Sequence, residues 1–224
     1  MINTLLFSIV LMTAKTPQLN SVQPNSPEMN STRAYQQCLA RVDKDPAAAK
    51  EFALNWTLTG GDSAATHCVA MADLALGNLR YSAGRILQLA DEERQRDTIA
   101  AASLYLQGTE ILLAIPDAAM ALEAANAGLE IAPTDMALHV SLGHALIDLK
   151  RWAEAEAALV TAMEFGRLDA TGRTLRARAR IEQDRLELAA YDVVAALRLD
   201  PHFVDALVLR GELIQRGMII DMPN

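Results

Sequence analysis

Residues 136–162 read MALHVSLGHALIDLKRWAEAEAALVTA, and this stretch decides the fold. Leu138, Leu142, Ala145, Leu146 and Leu149 recur at helical spacing, and a second apolar series follows through Trp152, Ala155, Leu159 and Ala162. Two amphipathic helices joined by a short polar turn therefore lie in about thirty residues. The same pattern recurs along the chain. Ala49, Ala83, Ala121, Ala155 and Ala189 are separated by 34, 38, 34 and 34 residues. A fixed period of this length is the signature of a solenoid, in which each two-helix unit buries its apolar face only by stacking on its neighbours.

With those alanines at position 20 of a 34-residue unit, the units run 30–63, 64–97, 102–135, 136–169 and 170–203. Position 24 is then Ala53, Leu87, Ala125, Leu159 and Val193, all apolar. Position 27 is Trp56, Ala90, Gly128, Ala162 and Ala196, small in four units of five. Pro133 and Pro201 both fall at position 32, where one helix must stop before the next begins. Small side chains at 20 and 27 let helices approach closely, and larger ones at 7, 11, 17 and 24 fill the remaining space. The four extra residues Thr98–Ala101 add about one turn, so they lengthen a helix without rotating its buried face.

This spacing resembles the tetratricopeptide repeat, with Leu142-Gly143, Leu146, Trp152, Ala155, Leu159 and Ala162 carrying the clearest match. The resemblance spans Asn30 to about Phe203; in the first unit Pro46 and Trp56 depart from the pattern. It implies an all-α, right-handed α-solenoid of about five hairpins, closed by a capping helix at 204–217 and followed by the apolar tail 218–224. Helices are expected near 31–43, 46–59, 62–77, 79–91, 95–114, 117–131, 135–149, 152–165, 169–184, 186–199 and 202–216. The cap should present one polar face to water. Gly60-Gly61-Asp62 is expected to end one helix with glycines and cap the next with Asp62.

The resemblance also implies a use, since such repeats are protein-interaction modules whose ligand contacts come from positions 2, 5, 9, 12 and 13 of each first helix. Carried onto this chain, the groove set for a partner protein or peptide is Glu110, His144, Asp148, Arg178, Glu182, Asp205 and Glu212, with Arg41, Gln215 and Arg216 beside them. In the second unit the strip is small and apolar: Ala65, Cys68, Ala72, Ala75 and Leu76. A clamp for terminal carboxylates is not supported, because Ala34 and Cys38 stand where that type needs Lys and Asn. Cys38 and Cys68 fall on adjacent first helices, facing the groove, and form a disulfide candidate.

Before the repeats stands the run Leu5–Met12, too short to span a bilayer and suited to a secretory leader. The expected organisation is a leader over 1–14 and a polar linker over 15–29. Periplasmic or secreted placement is favoured over cytoplasmic. A formal net charge of −8 disfavours nucleic acid as a partner. The five arginines Arg173, Arg176, Arg178, Arg180 and Arg185 are read as a solvated face balanced by Glu182, Asp184 and Glu187.

Catalytic spacing is absent. His67, His139, His144 and His202 show no metal pattern, and His67-Cys68 point apart on a helix, which argues against a nucleophile–base pair. No metal, cofactor or enzymatic activity is expected. Homo-oligomer formation stays open, and a structural, self-assembling role in a cell-envelope complex is the alternative to peptide binding.

Overall fold

The computed structural model describes residues 27–220, with side chains from Ser31 onward. The expected leader and most of the expected linker lie outside the described residues, as do the last four residues of the tail. Eleven helices are described, with no strand among them: α1 (Pro27–Val42), α2 (Pro46–Thr57), α3 (Asp62–Ala75), α4 (Leu79–Glu93), α5 (Thr98–Leu113), α6 (Ala118–Ile131), α7 (Met136–Asp148), α8 (Trp152–Phe165), α9 (Ala170–Glu182), α10 (Leu186–Leu199) and α11 (Val204–Gln215). None is long and apolar enough to cross a membrane.

Helices pair as successive antiparallel hairpins, and each hairpin stacks on the next to form an all-α solenoid. The five period-setting alanines are fully or almost fully buried, as are Ala53, Ala90, Ala125, Leu159, Ala162, Val193 and Ala196. Close approach explains the small residues directly. A methyl group on Gly143 would stand 2.7 Å from Leu159 Cγ, and one on Gly128 would stand 2.8 Å from Leu138.

Aspartates set several helix starts. Asp45, Asp97, Asp135 and Asp169 each accept a hydrogen bond from a backbone N–H in the first turn of α2, α5, α7 and α9. Such caps contribute about 1 kcal/mol each. The turns after α3, α7, α9 and α11 pass through a left-handed residue: Gly77, Lys150, Asp184 and Gly217. Glycine adopts that conformation freely; Lys150 and Asp184 do so at a cost of about 1–2 kcal/mol.

Three local expectations change. α1 begins at Pro27, inside the expected linker, with proline at a first-turn position where its missing N–H is harmless. Asp62 does not cap α3: Gly61 occupies the cap and Asp62 is the first helical residue. A methyl group at Gly61 would collide with the Trp56 ring at 2.8 Å, so this glycine makes room for the large residue at position 27. The closing helix lacks a polar outer face, because Leu207 and Ile214 on α11 are 41% and 50% exposed. The tail folds back onto this helix, with Ile220 buried among Ala206, Leu209 and Leu213.

The four-residue insertion lies in α5, which begins at Thr98 and is three residues longer than α7 or α9 (16 against 13). α5 packs more extensively on α4 than any other two helices pack together. First helices lie side by side for α1–α3, α5–α7, α7–α9 and α9–α11; α3 and α5 have no comparable contact.

Candidate functional site

The first helices α1, α3, α5, α7, α9 and α11 carry the sequence-expected groove set. Its members divide into two groups. On α9 and α11, Arg178 Nη1 donates to Glu212 Oε2 at 2.7 Å and to Glu182 Oε1 at 3.5 Å. Arg216 Nη2 donates to the other Glu212 oxygen at 2.9 Å, so Glu212 is held between two guanidinium groups. A cavity of about 180 Å³ opens beside them, lined by Thr174, Leu175, Arg178, Asp205, Val208 and Leu209. Arg178, Glu182, Asp205 and Glu212 are therefore brought together. Glu110, His144 and Asp148 belong to α5 and α7 and make no hydrogen bond or ion pair among the described residues. Burial against flanking helices raises the pKa of Glu110.

The structure adds lining residues that the sequence reading did not select. Leu175 and Leu209 occupy position 6, one residue past the carried-over pattern, and give the cavity an apolar wall. Leu209 also packs into the carboxyl-terminal core with Ala206 and Leu213. An apolar residue at position 6 of both helices was the available signal.

The amino-terminal end differs. Ala65, Cys68 and Ala72 are fully buried, so the second unit's strip is packed core over most of its length, and only Ala75 and Leu76 reach solvent. Cys38 is fully buried too, which corrects the expectation that the cysteines face an open groove. Their sulfurs lie at disulfide-bonding distance across α1 and α3, with Cα atoms 6.3 Å apart. Beside them Tyr35 Oη lies 2.9 Å from His67 Nδ1, and His67 Nε2 lies 3.1 Å from Gln107 Oε1. Neutral imidazole satisfies both bonds: Nε2–H donates to the amide oxygen and Nδ1 accepts from the phenol. Burial lowers the His67 pKa, opposed by the Gln107 bond, and raises that of Tyr35. This chain of three side chains joins α1, α3 and α5 where α3 and α5 stand apart.

Two members of the arginine cluster are not solvated, which corrects their expected role. Arg176 and Arg180 are 5% and 9% exposed, and Asp192 is fully buried. Arg176 binds Asp192 through Nε at 2.9 Å and Nη2 at 2.6 Å, a two-pronged pairing. Arg180 donates to Asp192 at 2.6 Å and to Glu156 at 2.8 Å. Arg185 and Gln183 reach the second Glu156 oxygen at 2.5 and 3.0 Å. Burial alone would raise the Glu156 pKa; Arg180, Gln183 and Arg185 outweigh it and hold the group below the ordinary carboxylate range. For Arg176, Arg180 and Arg185 the counter-charges thus come from α8 and α10; of the expected acids only Glu182 pairs with the cluster, through Arg178. The signal was legible: Arg176 and Arg180 occupy positions 7 and 11, where large apolar residues belong.

Among the described residues no group of three His, Cys, Asp or Glu side chains is placed to hold a metal ion. His139 illustrates an alternative use of the residue type. Its Nε2 donates to the Pro133 carbonyl at 2.9 Å and its ring stacks on Phe165 at 5.6 Å.

No protein-family model matches the chain, and no curated protein does. Solved structures do. A MamA fragment from Desulfovibrio magneticus RS-1 superposes with a TM-score of 0.63 at 18% identity, over 78% of this chain and 96% of that one. YrrB, described as a TPR protein with an unusual peptide-binding site, gives 0.62 at 12% identity over 81% and 92%. TTC0263, a thermophilic TPR protein of Thermus thermophilus, gives 0.54 at 20% identity over 84% and 99%. The chain has the fold of a tetratricopeptide-repeat protein.

Proposed function

We propose that this chain is a non-catalytic interaction scaffold that holds a peptide or helix of a partner protein in its concave groove. The observation that carries this reading is the opening between α9 and α11. There Arg178 and Asp205 stand beside Leu175, Val208 and Leu209, so an apolar floor lies within reach of both signs of charge. Recognition surfaces of small modules are built that way, with apolar anchoring and a few oriented polar groups. A rigid repeat scaffold presents such a surface with little ordering cost on binding. The likeness to YrrB, whose description includes a peptide-binding site, supports the same use. Along the groove Glu110, His144 and Asp148 keep unused hydrogen-bonding capacity that a bound chain can take up.

The test is a pull-down from the source cell, comparing wild type with a His144→Ala, Arg178→Ala, Glu182→Ala variant. Loss of the specific partners is expected at unchanged Tm; an identical set of partners would remove the groove from consideration. The competing reading, self-assembly through the terminal apolar face, calls for a mass that rises with concentration in light scattering.

Export to the periplasm or beyond belongs to the same proposal. It is supported by the Leu5–Met12 run and by two buried sulfurs at bonding distance. In an oxidising compartment the bond between Cys38 and Cys68, 30 residues apart, contributes about 3–4 kcal/mol in the chain-entropy account. Mass spectrometry of the mature protein reads both features together: a cleaved leader and two thiols refractory to alkylation are expected. An intact amino terminus with both thiols labelled would place the protein elsewhere.

A further inference from the structure

α11 is the last described helix and stands at a first-helix position of the repeat, with no second helix packed on it among the described residues. Its outward residues fall at repeat positions 7, 8 and 11, which the second helices of the third, fourth and fifth hairpins help to cover. Ile214 is 50% exposed, whereas Leu146, two repeats earlier at the same position, is 4% exposed. Gly211 repeats the position of Gly143, where Leu159 of α8 leaves no space for a methyl group; at Gly211 nothing among the described residues lies within 4 Å of one. Arg210 repeats the position of Arg176. Arg176 is bound on two prongs by Asp192 from α10, while Arg210 keeps a buried Nε without any hydrogen-bond partner among the described residues.

These observations are independent of the groove and name the chemistry of the missing element. We infer that the outer face of α11 is a docking site for an amphipathic helix of another protein, one bearing a carboxylate followed directly by a branched apolar residue. The internal precedent is Asp192-Val193 on α10. There the acid takes the arginine, Val193 is fully buried, and Ala189 and Ala196 lie one turn away on either side to allow close approach. On α11 the visiting carboxylate would take Arg210, and its apolar neighbour would enter the space above Gly211 between Leu207 and Ile214. A second copy docking by two-fold symmetry fits less well. Two α11 helices crossing at Gly211 would bring the Arg210 side chains of both copies towards each other with no acid between them.

The probe is a fluorescent peptide of residues 185–199, the chain's own acid-bearing second helix, titrated into the full protein and followed by anisotropy. Saturable binding is expected, weakened about tenfold by Asp192→Asn in the peptide, and equally by Arg210→Met in the protein. Leu207→Ser should weaken it too, whereas Arg178→Ala in the groove should leave it unchanged. Circular dichroism and Tm establish that each protein variant is folded, and Arg210→Gln serves as a second, milder change. The inference is overturned by the absence of saturable binding or by full binding to Arg210→Met. It is overturned equally by light scattering that shows a dimer dissolved by Leu207→Ser, which would make a second copy the occupant.

Discussion

Two successive clefts on the outer side of the solenoid have the same construction and opposite contents. Between α6 and α8, over α7, lies an open cavity of about 380 Å³ lined by Leu122, Leu142, Leu146 and Ala158, with Asn126, His139, Arg151, Glu154 and Thr161 also in its lining. One repeat later, between α8 and α10, the equivalent residues are Glu156, Arg176, Arg180 and Asp192. They fill their cleft with a buried ionic network. The two clefts join neighbouring hairpins in different ways. Apolar residues leave a shallow, uncommitted hollow; ions lock three helices in one register but demand full pairing. A buried charge network is weak evidence for net stability and strong evidence for sensitivity to losing any one member.

The largest expected effect breaks the network. Asp192→Ala leaves two buried guanidinium groups without their shared acid and should cost about 3–5 kcal/mol in urea unfolding. A loss under about 1 kcal/mol would mean water reaches the cleft. Copying the neighbouring cleft into this one is the sharper test. The joint change Glu156→Leu, Arg176→Leu, Arg180→Leu, Asp192→Ala is expected to fall between neutral and a gain of about 1–4 kcal/mol, because charges and their desolvation cost leave together. A large loss would show that the network does more than fill space.

Acid separates the same two proteins by a smaller margin. The folded pKa of Glu156 lies below its ordinary value of 4.5, so its contribution is complete above that value. It declines as pH falls through the lower folded value, because protonation is then easier in the unfolded chain. Wild type should therefore lose Tm on acidification more steeply than the apolar variant; parallel curves would contradict the pairing. The smallest effects concern the turns. Lys150 and Asp184 hold the same left-handed position in the two hairpins, with φ of 57° and 59°. Replacing either by Gly should raise stability by about 0.5–1 kcal/mol, the relief of strain less the entropy cost of glycine. Equal gains would show that the hairpins differ in their clefts and not in their turns.

Much of this was legible in advance. The alanine period placed the hairpins, apolar spacing placed all eleven helices to within a few residues, and helical spacing located the long α5. That Arg178, Glu182 and Glu212 lie together could be expected, because the resemblance supplied the repeat positions and a 34-residue period fixes which of them share a face. The fate of the arginine cluster was misread for a physical reason: exposure depends on whether a neighbouring helix brings an acid, and Asp192 lies 16 residues from Arg176 on a different helix. The cysteines were paired correctly but faced the wrong way, since the groove closes over α3 when a small strip packs against its neighbours.

Sequence by itself determined the repeat, because close helix approach requires small side chains at fixed intervals and leaves that requirement written along the chain. Tertiary structure alone decided which charges are paired, which cleft stays open and which helix face is uncovered among the described residues. Those outcomes depend on distances between residues that the period brings near but does not bring into contact.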